Sequence, residues 1–428
     1  MNVIIVGGGI AGLTLGLSLQ QAGIAARVYE AVSDLAPLGV GINLQPAAVR
    51  ELTELGLGSP LERVGVEIRE LVFFNRLGQL ICSEPRGLSA GYKWPQYAVH
   101  RGQLQFLLLR AMRERLGEDS FRNGLRLAGF EQDSGRVVAT FADSTSQTIL
   151  TDEADILIGA DGIHSKVRRL LYPSEGEPRF ARQLLWRGAA GGEPFLDGHA
   201  MVIAGHFDRR IIVYPIALAE EKGQPLTNWV CQTTVSNEAP LRENWNRRAT
   251  HDRVLRLFGE WRTPWLDLPA LIRRTPEIFE FPLVDRDPVQ AWTFGRVTLI
   301  GDAAHPMQPT GAQAGSQAII DARMLTAALL DVSDPIQALC RYDRKRRPIM
   351  NDIVLRNRRL GPEGVLQLVE ERAPDGFDRI DDVVSRAEIE AISASFAAAA
   401  GLDVQTVNGA PSLVSYQSLP PTPPRGTS

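Results

Sequence analysis

Apolar β-branched residues run from Val3 to Val6, and the stretch from Ile10 to Gln21 that follows carries Leu13, Leu15, Leu17 and Leu19 with apolar side chains on most sides. That pattern predicts a buried strand feeding a buried helix. Gly23 then interrupts, and Ala26 to Tyr29 predicts a second short strand ending at Glu30, so the beginning of the chain spells one βαβ unit. From Glu70 to Cys82, and again from Gln183 to Val235, shorter apolar runs are broken by glycine, proline and charge, which predicts antiparallel sheet separate from the first unit. Between these stretches, Gly102 to Leu116 has helical spacing, and Val137 to Phe141 with Ile149 to Ile158 reads as strands. Two glycine-flanked apolar strands, Asp155 to Ala160 and Arg296 to Ile300, each run into polar residues and then a helix, the later one spanning about Ser316 to Leu330.

The expected fold class is therefore α/β (α+β), with a Rossmann-like dinucleotide-binding domain interrupted by an antiparallel-sheet domain. The first comprises 1–70, 98–180 and 280–348, and the second 71–97 and 181–279. Helices over 349–410 follow, and the turn to Pro, Ser and Thr after Gly409 predicts a disordered tail over 411–428. The arginine-rich runs Arg341 to Pro348 and Arg356 to Arg359 read as solvated helix faces.

Composition narrows the function. The 428 residues include 46 Lys and Arg against 50 Asp and Glu, a net charge of −4, so no global basic field is present to hold nucleic acid. Cys82, Cys231 and Cys340 lie far apart, which excludes a disulfide framework or a Cys-x-x-Cys redox pair and fits a reducing cytoplasm. No secretory pattern or run long enough to span a bilayer is seen. His100, His164, His199, His206, His251 and His305 form no His-x-x-x-His or Cys–His cluster, so no metal is expected. The 39 glycines exceed the usual share, and their placement carries the chemistry.

Gly7-x-Gly9-x-x-Gly12 follows the first strand and opens the first helix. The first glycine permits the tight turn, the second lets a pyrophosphate approach the backbone, and the third allows close packing. Glu30, ending the second strand, stands where an acceptor for an adenosine ribose hydroxyl is expected, and an acid there favours FAD or NAD over NADP. A second constellation is Gly159-Ala160-Asp161-Gly162-x-x-Ser165-x-x-Arg168, in which Asp161-Gly162 also reads as a turn and Ser165 as a helix cap. The third is Gly301-Asp302-Ala303-Ala304-His305-Pro306, continued by Pro309 to Gly315 and a long helix. Its small residues suit a flat ring lying against the backbone, with the helix N-terminus facing developing negative charge.

In this order the three motifs resemble the group A flavoprotein aromatic hydroxylases, the family of para-hydroxybenzoate and salicylate hydroxylases, over roughly residues 1 to 360. The resemblance implies an FAD-dependent monooxygenase that consumes NADH or NADPH and hydroxylates an aromatic ring with molecular oxygen through a C4a-hydroperoxyflavin. It places Gly7, Gly9, Gly12 and Glu30 on the ADP half of FAD and Arg101 on the linker. Asp161 would lie near the pyrophosphate and the approach of the nicotinamide, Asp302 at the ribityl or pyrophosphate region, and Pro309, Gly311 and Gly315 along the isoalloxazine. Within the family, the runs Pro37 to Asn43, Ser83 to Gly87 and Val284 to Pro288 are similar to phenazine hydroxylases, implying a flat polycyclic or heteroaromatic substrate. Two departures stand out: Ala314 then Gly315 where Gly then Ala is common, and Ile320 in place of a common acid. Phenols react faster as phenolates, and the candidate bases are Tyr214 and His305. Trp186 and Trp229 read as core more than as stacking residues. Alternatives on the same scaffold are an FAD oxidase or dehydrogenase, or a flavin-bound protein that sequesters a ligand without turnover. The chain is expected to act as a monomer or homodimer.

Overall fold

A computed structural model of the chain describes residues 1–36, 40–143, 148–217, 225–236, 247–359, 361–399 and 401–414. Its centre is a parallel sheet in the order Val297–Leu299, Ile156–Gly159, Asn2–Val6, Ala25–Tyr29, Phe121–Arg122. Val3 to Val6 are buried because helices cover both faces, which is why this strand is apolar throughout and not alternating. The helix Ile10–Gln21 is buried from Ala11 to Leu19. It packs against the helices Arg101–Leu116 and Ala314–Asp331, so it has no polar face to offer, as its sequence indicates.

The second body is an eight-stranded sheet, ordered Arg248–Ala249, Ile278–Asp285, Arg179–Gly191, Leu226–Thr234, Arg209–Ala217, Ala200–Gly205, Glu70–Phe74, Leu80–Pro85. It is antiparallel except between Glu70–Phe74 and Ala200–Gly205, two strands joined by the long excursion through the parallel sheet. The expected division at residue 280 falls inside Ile278–Asp285, a strand paired on both sides within this sheet. The excursion into the sheet body therefore runs to Asp285. One face is closed by the helices His251–Phe258 and Leu268–Arg274 over Trp186 and Trp229, with Phe258 of the first helix edge-on to Trp186. Both indoles are core, with Trp186 Nε1 donating to Glu280 and Trp229 Nε1 to Thr275 Oγ1, each at 2.8 Å.

A small sheet of Gly41–Leu44, Gln96–His100 and Gly65–Ile68 connects the two bodies. Gly41 is one such joint: its N–H donates to Asn228 Oδ1 at 2.6 Å and its carbonyl accepts from Arg187 at 2.9 Å. A β-carbon there would lie 2.5 Å from the Tyr214 ring, so only glycine permits this approach.

The C-terminal segments fold back over the joint. Tyr92 donates to the carbonyl of Leu402 at 2.5 Å, Ser393 to Glu84, and Arg76 to Glu370 at 2.9 Å. Val414 is buried, so ordered chain continues past 411 where a disordered tail was expected; 415–428 lie outside the described residues. The arginine runs are also more than solvated faces. Arg346 is buried against Asp321, and Arg358 holds Asp285 at 2.9 Å, because the long helix Pro335–Asn357 and the turn after it pack on the sheet and loops that need neutralising there. No helix among the described residues is long and apolar enough to cross a membrane.

Candidate active site

The glycine turn after Asn2–Val6 divides its tasks by position. A β-carbon at Gly7, where φ is +111°, would lie 2.4 Å from the Ala160 carbonyl oxygen, and one at Gly12 would lie 2.0 Å from the Gly7 carbonyl oxygen. At Gly9 it would meet nothing within 4 Å. Gly7 and Gly12 are thus fixed by the protein's own packing, while Gly9 faces open space that a pyrophosphate fits. The helix Ile10–Gln21 begins there without a side-chain cap, leaving its first N–H groups free for phosphate oxygens. Glu30 accepts from the backbone N–H groups of Gly8 at 2.7 Å and Val32 at 2.8 Å. A carboxylate has about four lone-pair sites, so it retains capacity for ribose hydroxyls.

Asp161 is turned into the start of the helix Lys166–Leu171. It accepts from Ser165 Oγ at 2.5 Å and Lys166 N at 2.7 Å, while Ser165 caps the helix through Arg168 N at 2.9 Å. Burial pushes its carboxyl up, opposed by these donors. The turn and cap readings of this motif both hold, and its neighbours Ala160 and Gly162 are what face the cleft. Arg168, buried, reaches across to the third motif and donates to the carbonyls of Ala303 at 3.1 Å and Ala304 at 2.7 Å. Its charge is met by Glu175 at 2.5 Å, which also takes Arg286 at 3.2 Å. The second motif thereby holds the third in place. Arg168→Met should leave the parallel sheet intact but weaken FAD retention about tenfold, from the loss of charge-assisted bonds to that turn, as measured by flavin release on dilution.

Gly301, at φ +57°, turns the chain so that Asp302 and His305 part company. Asp302 projects into the cleft, crowded by protein atoms yet open to solvent. Burial raises its carboxyl pKa, and the charges of His305 and Arg101 oppose that rise. His305 points the other way: it is 1% exposed, lies under Trp292, and its Nε2 sits 2.5 Å from Asp321 Oδ2. Of the two candidate bases, His305 is therefore not among the residues facing the cleft.

The run Pro309 to Gly315 lines the cleft, with Gly311 at φ +69° and Ala312 at φ +52°. A left-handed alanine costs on the order of 1 kcal/mol, a strain that persists where the surroundings dictate the backbone. The helix Ala314–Asp331 then starts uncapped at the same wall. The two departures resolve here. A β-carbon at residue 315 would lie 2.5 Å from Ile42 Cδ1, so the glycine takes the position over which Ile42 packs, and Ile320 packs on the core while the buried acid of this helix is Asp321.

Opposite this floor, across a cleft of ≈ 370 Å³, lies the inner face of the eight-stranded sheet. Pairing places Arg210 beside Gln232, Ile212 beside Val230 and Tyr214 beside Asn228. The neighbouring strands add Leu185, Arg187, Ile203 and Met201 to the same wall. The centre of this roof is apolar and its ends are polar. Tyr214 is 4% exposed; burial pushes its phenol pKa up, and the adjacent Arg187 opposes the shift. Arg101 lies in the same cleft, its pKa lowered by burial against the pull of Asp302. Of the four arginines on the cleft, Arg86 pairs with Glu84 and Arg210 with Glu363, while Arg101 is drawn by Asp302 and Arg187 lies beside Tyr214. Sequence reading singled out Arg101, Tyr214 and Asp302 but not Arg187, Arg210 or Glu363. The available signal was the strand period, which puts Arg210, Ile212 and Tyr214 on one face because residues two apart share a face.

The FAD binding domain family matches residues 1–357. Phenazine 1,6-dicarboxylic acid hydroxylase of Lysobacter antibioticus is 44% identical over 363 residues, covering 83% of this chain and 89% of that protein. A 3-hydroxybenzoate 6-hydroxylase of Aquipseudomonas alcaligenes is 30% identical over 352 residues, 81% of this chain and 84% of the relative. Among solved structures, Klebsiella pneumoniae HpxO complexed with FAD and uric acid superposes with a TM-score of 0.73 at 23% identity, over 95% of this chain and 96% of that one, which shows the shared fold. On these likenesses the chain belongs to the FAD binding domain family and is an FAD-dependent aromatic monooxygenase.

Proposed function

We propose that this monooxygenase hydroxylates a flat, fused heteroaromatic of the phenazine type, held between the Pro309–Gly315 floor and the sheet roof. The observation that carries this is the roof itself, an apolar strip two strand-rows long with polar side chains at its ends, which suits an elongated planar ring system. The 44% identity to a hydroxylase named for a phenazine dicarboxylic acid supports the same class. When bound, FAD takes electrons from NAD(P)H and activates oxygen for transfer to the ring. Gly7, Gly9, Gly12 and Glu30 would hold its ADP half, Asp161 and Arg168 shape the turn beside the pyrophosphate, Arg101 and Asp302 meet its linker, and Pro309, Gly311 and Gly315 back the ring.

The other steps belong to side chains of the roof. Because burial keeps the Tyr214 phenol protonated near neutral pH, Tyr214 acts as a hydrogen-bond donor to a substrate oxygen, stabilising it as the ring becomes electron-rich, and not as a free base. Arg187 beside it favours negative charge on that oxygen. Leu185, Ile212 and Val230 exclude water from the space above the ring. His305 acts as a positioning residue behind the Asp302 turn.

The test is oxygen consumption by FAD-loaded protein with NADH or NADPH over a series of phenazine and monocyclic acids, with mass spectrometry for one added oxygen atom. Oxidised product without added oxygen, or a flavin that no nicotinamide reduces, overturns the proposal. Asp302→Ala should weaken FAD binding about 10- to 100-fold, the loss expected for a charged hydrogen-bonding group. Tyr214→Phe should keep FAD and NAD(P)H oxidation while hydroxylated product per NAD(P)H falls severalfold; full coupling would remove Tyr214 from the mechanism.

A further inference from the structure

The family match ends at residue 357, yet Glu363, Ser393 and Leu402 line the cleft from beyond it. Glu363 forms a buried ion pair with Arg210 at the end of the roof away from Tyr214. Its turn, Gly361–Glu363, packs on Thr310–Ala312 of the floor and on the helix Arg386–Ala399, so the C-terminal segment joins floor to roof at that end. Ser393 of that helix donates to Glu84, which also takes Arg86 at 2.5 Å. Farther along the loop that follows Arg86, Tyr92 donates to the carbonyl of Leu402 at 2.5 Å. Leu402 is thus tethered through its backbone, and the residues around it reinforce the tether. Gly401 turns the chain at φ +63°, Asp403 caps the short helix Val404–Gly409 through Thr406 N at 2.9 Å, and Asn408 bonds to Gly91 and to Lys93 N, each at 2.8 Å. Arg50, lying 5.3 Å over the Trp94 ring, donates to the Val407 carbonyl at 3.4 Å. The Leu402 side chain, 9% exposed, is therefore presented to the cleft by a backbone that other residues hold.

We infer that Leu402 is a specificity-determining residue: its side chain is the end stop of the cleft, and its size sets how many fused rings the cleft admits. This rests on the heteroaromatic reading above and adds to it the length of the ring system and the residue that measures it. A planar ligand between an apolar roof and a flat floor keeps its dispersion contacts when it slides in its own plane, so those two surfaces alone do not fix its position. A rigid wall at one end does, and it thereby decides which ring edge lies beside Tyr214. In a close-packed apolar pocket one methylene more or less changes binding by about 10- to 200-fold, so a single leucine is enough to separate ligands that differ by a ring.

The experiment measures dissociation constants of quinoxaline, phenazine and linear benzophenazine carboxylates, with two, three and four fused rings, for the oxidised FAD-loaded enzyme, from perturbation of the flavin spectrum. Wild-type enzyme should bind the tricycle and disfavour the tetracycle by at least about tenfold. Leu402→Ala should recover about tenfold for the tetracycle and change the bicycle no more than about twofold, while Leu402→Trp should weaken the tricycle about tenfold and spare the bicycle. Leu402→Met, which nearly conserves volume, should keep the wild-type order. A side chain that only held the segment in place would shift all three ligands together, so equal losses across the series overturn the end stop. An unchanged size order in both Leu402→Ala and Leu402→Trp overturns it as well. If Leu402→Trp does not retain FAD, Ser393→Leu narrows the same end from the neighbouring helix and should likewise spare only the bicycle. Wild-type enzyme that binds all three equally overturns the end stop alone, whereas wild-type enzyme that binds none overturns the heteroaromatic reading and this inference with it.

Discussion

Gly12→Ala is expected to abolish assembly of the FAD site, while Gly9→Ala leaves the protein folded and blunts only cofactor binding. The two glycines stand three residues apart in one motif, and their surroundings separate them. At Gly12 the added carbon would sit 2.0 Å from the Gly7 carbonyl oxygen, a backbone atom that cannot rotate away. The turn must open, and with it the contact between the strand Asn2–Val6 and the helix Ile10–Gln21 inside the main core. A cost of at least about 3 kcal/mol follows from overpacking of this severity. At Gly9 the same carbon meets no atom within 4 Å, and the backbone φ of −79° is one alanine adopts readily. Its methyl group would occupy the open space proposed for the pyrophosphate. Urea unfolding of the FAD-free proteins should therefore show a large loss for Gly12→Ala and almost none for Gly9→Ala, whereas FAD titration should show weakened binding in both. A Gly9→Ala protein that binds FAD with unchanged affinity would mean that the cofactor does not pass over this turn.

The floor of the cleft was legible in the sequence because each of its parts is local. A strand, a glycine turn and a helix lie consecutively in the chain, so the residue types report directly on the backbone shape they permit, and Ile10–Gln21 and Ala314–Asp331 fall within a residue or two of their expected bounds. The roof was not legible in the same way. Arg210, Arg187 and Glu363 come together only through strand pairing and the return of the C-terminal segment, contacts between distant residues that no local pattern encodes. His305 illustrates a third case. Its place in the chain, next to Asp302, is local, but the side to which it points depends on the left-handed Gly301 and on the charges waiting below the loop. The arginine run after Arg341 hid the same information: one of its members, Arg346, completes that buried cluster, and a linear charge pattern does not distinguish it from its exposed neighbours.

That cluster gives the second large effect. Asp321 accepts from Gly301 N at 2.9 Å, sits 2.5 Å from His305 Nε2 and takes Arg346 Nε at 2.5 Å, all out of solvent. It thus fastens the turn that presents Asp302 to the helix Ala314–Asp331. Burial pushes its carboxyl up, but the charges and hydrogen bonds of His305 and Arg346 outweigh this and hold it at about 2, against an ordinary 3.8. Since the folded value is depressed, the stabilisation is present above the unfolded value and is lost as pH falls from about 4 towards 2, a contribution of about 2 kcal/mol at neutral pH. Asp321→Asn removes more than that, because Arg346 is left as a buried charge without its counter-ion; about 3–5 kcal/mol is the usual cost of breaking such a pair. The expected result is a variant much less stable than wild type at pH 7, with the gap narrowing between pH 4 and pH 2.5 as the wild-type carboxylate takes up its proton. FAD should also dissociate faster, since Asp302 loses the support of the turn beneath it. A stability gap that stays constant across that acid range would show that the charge of Asp321 is not what secures the loop, and would leave only its shape.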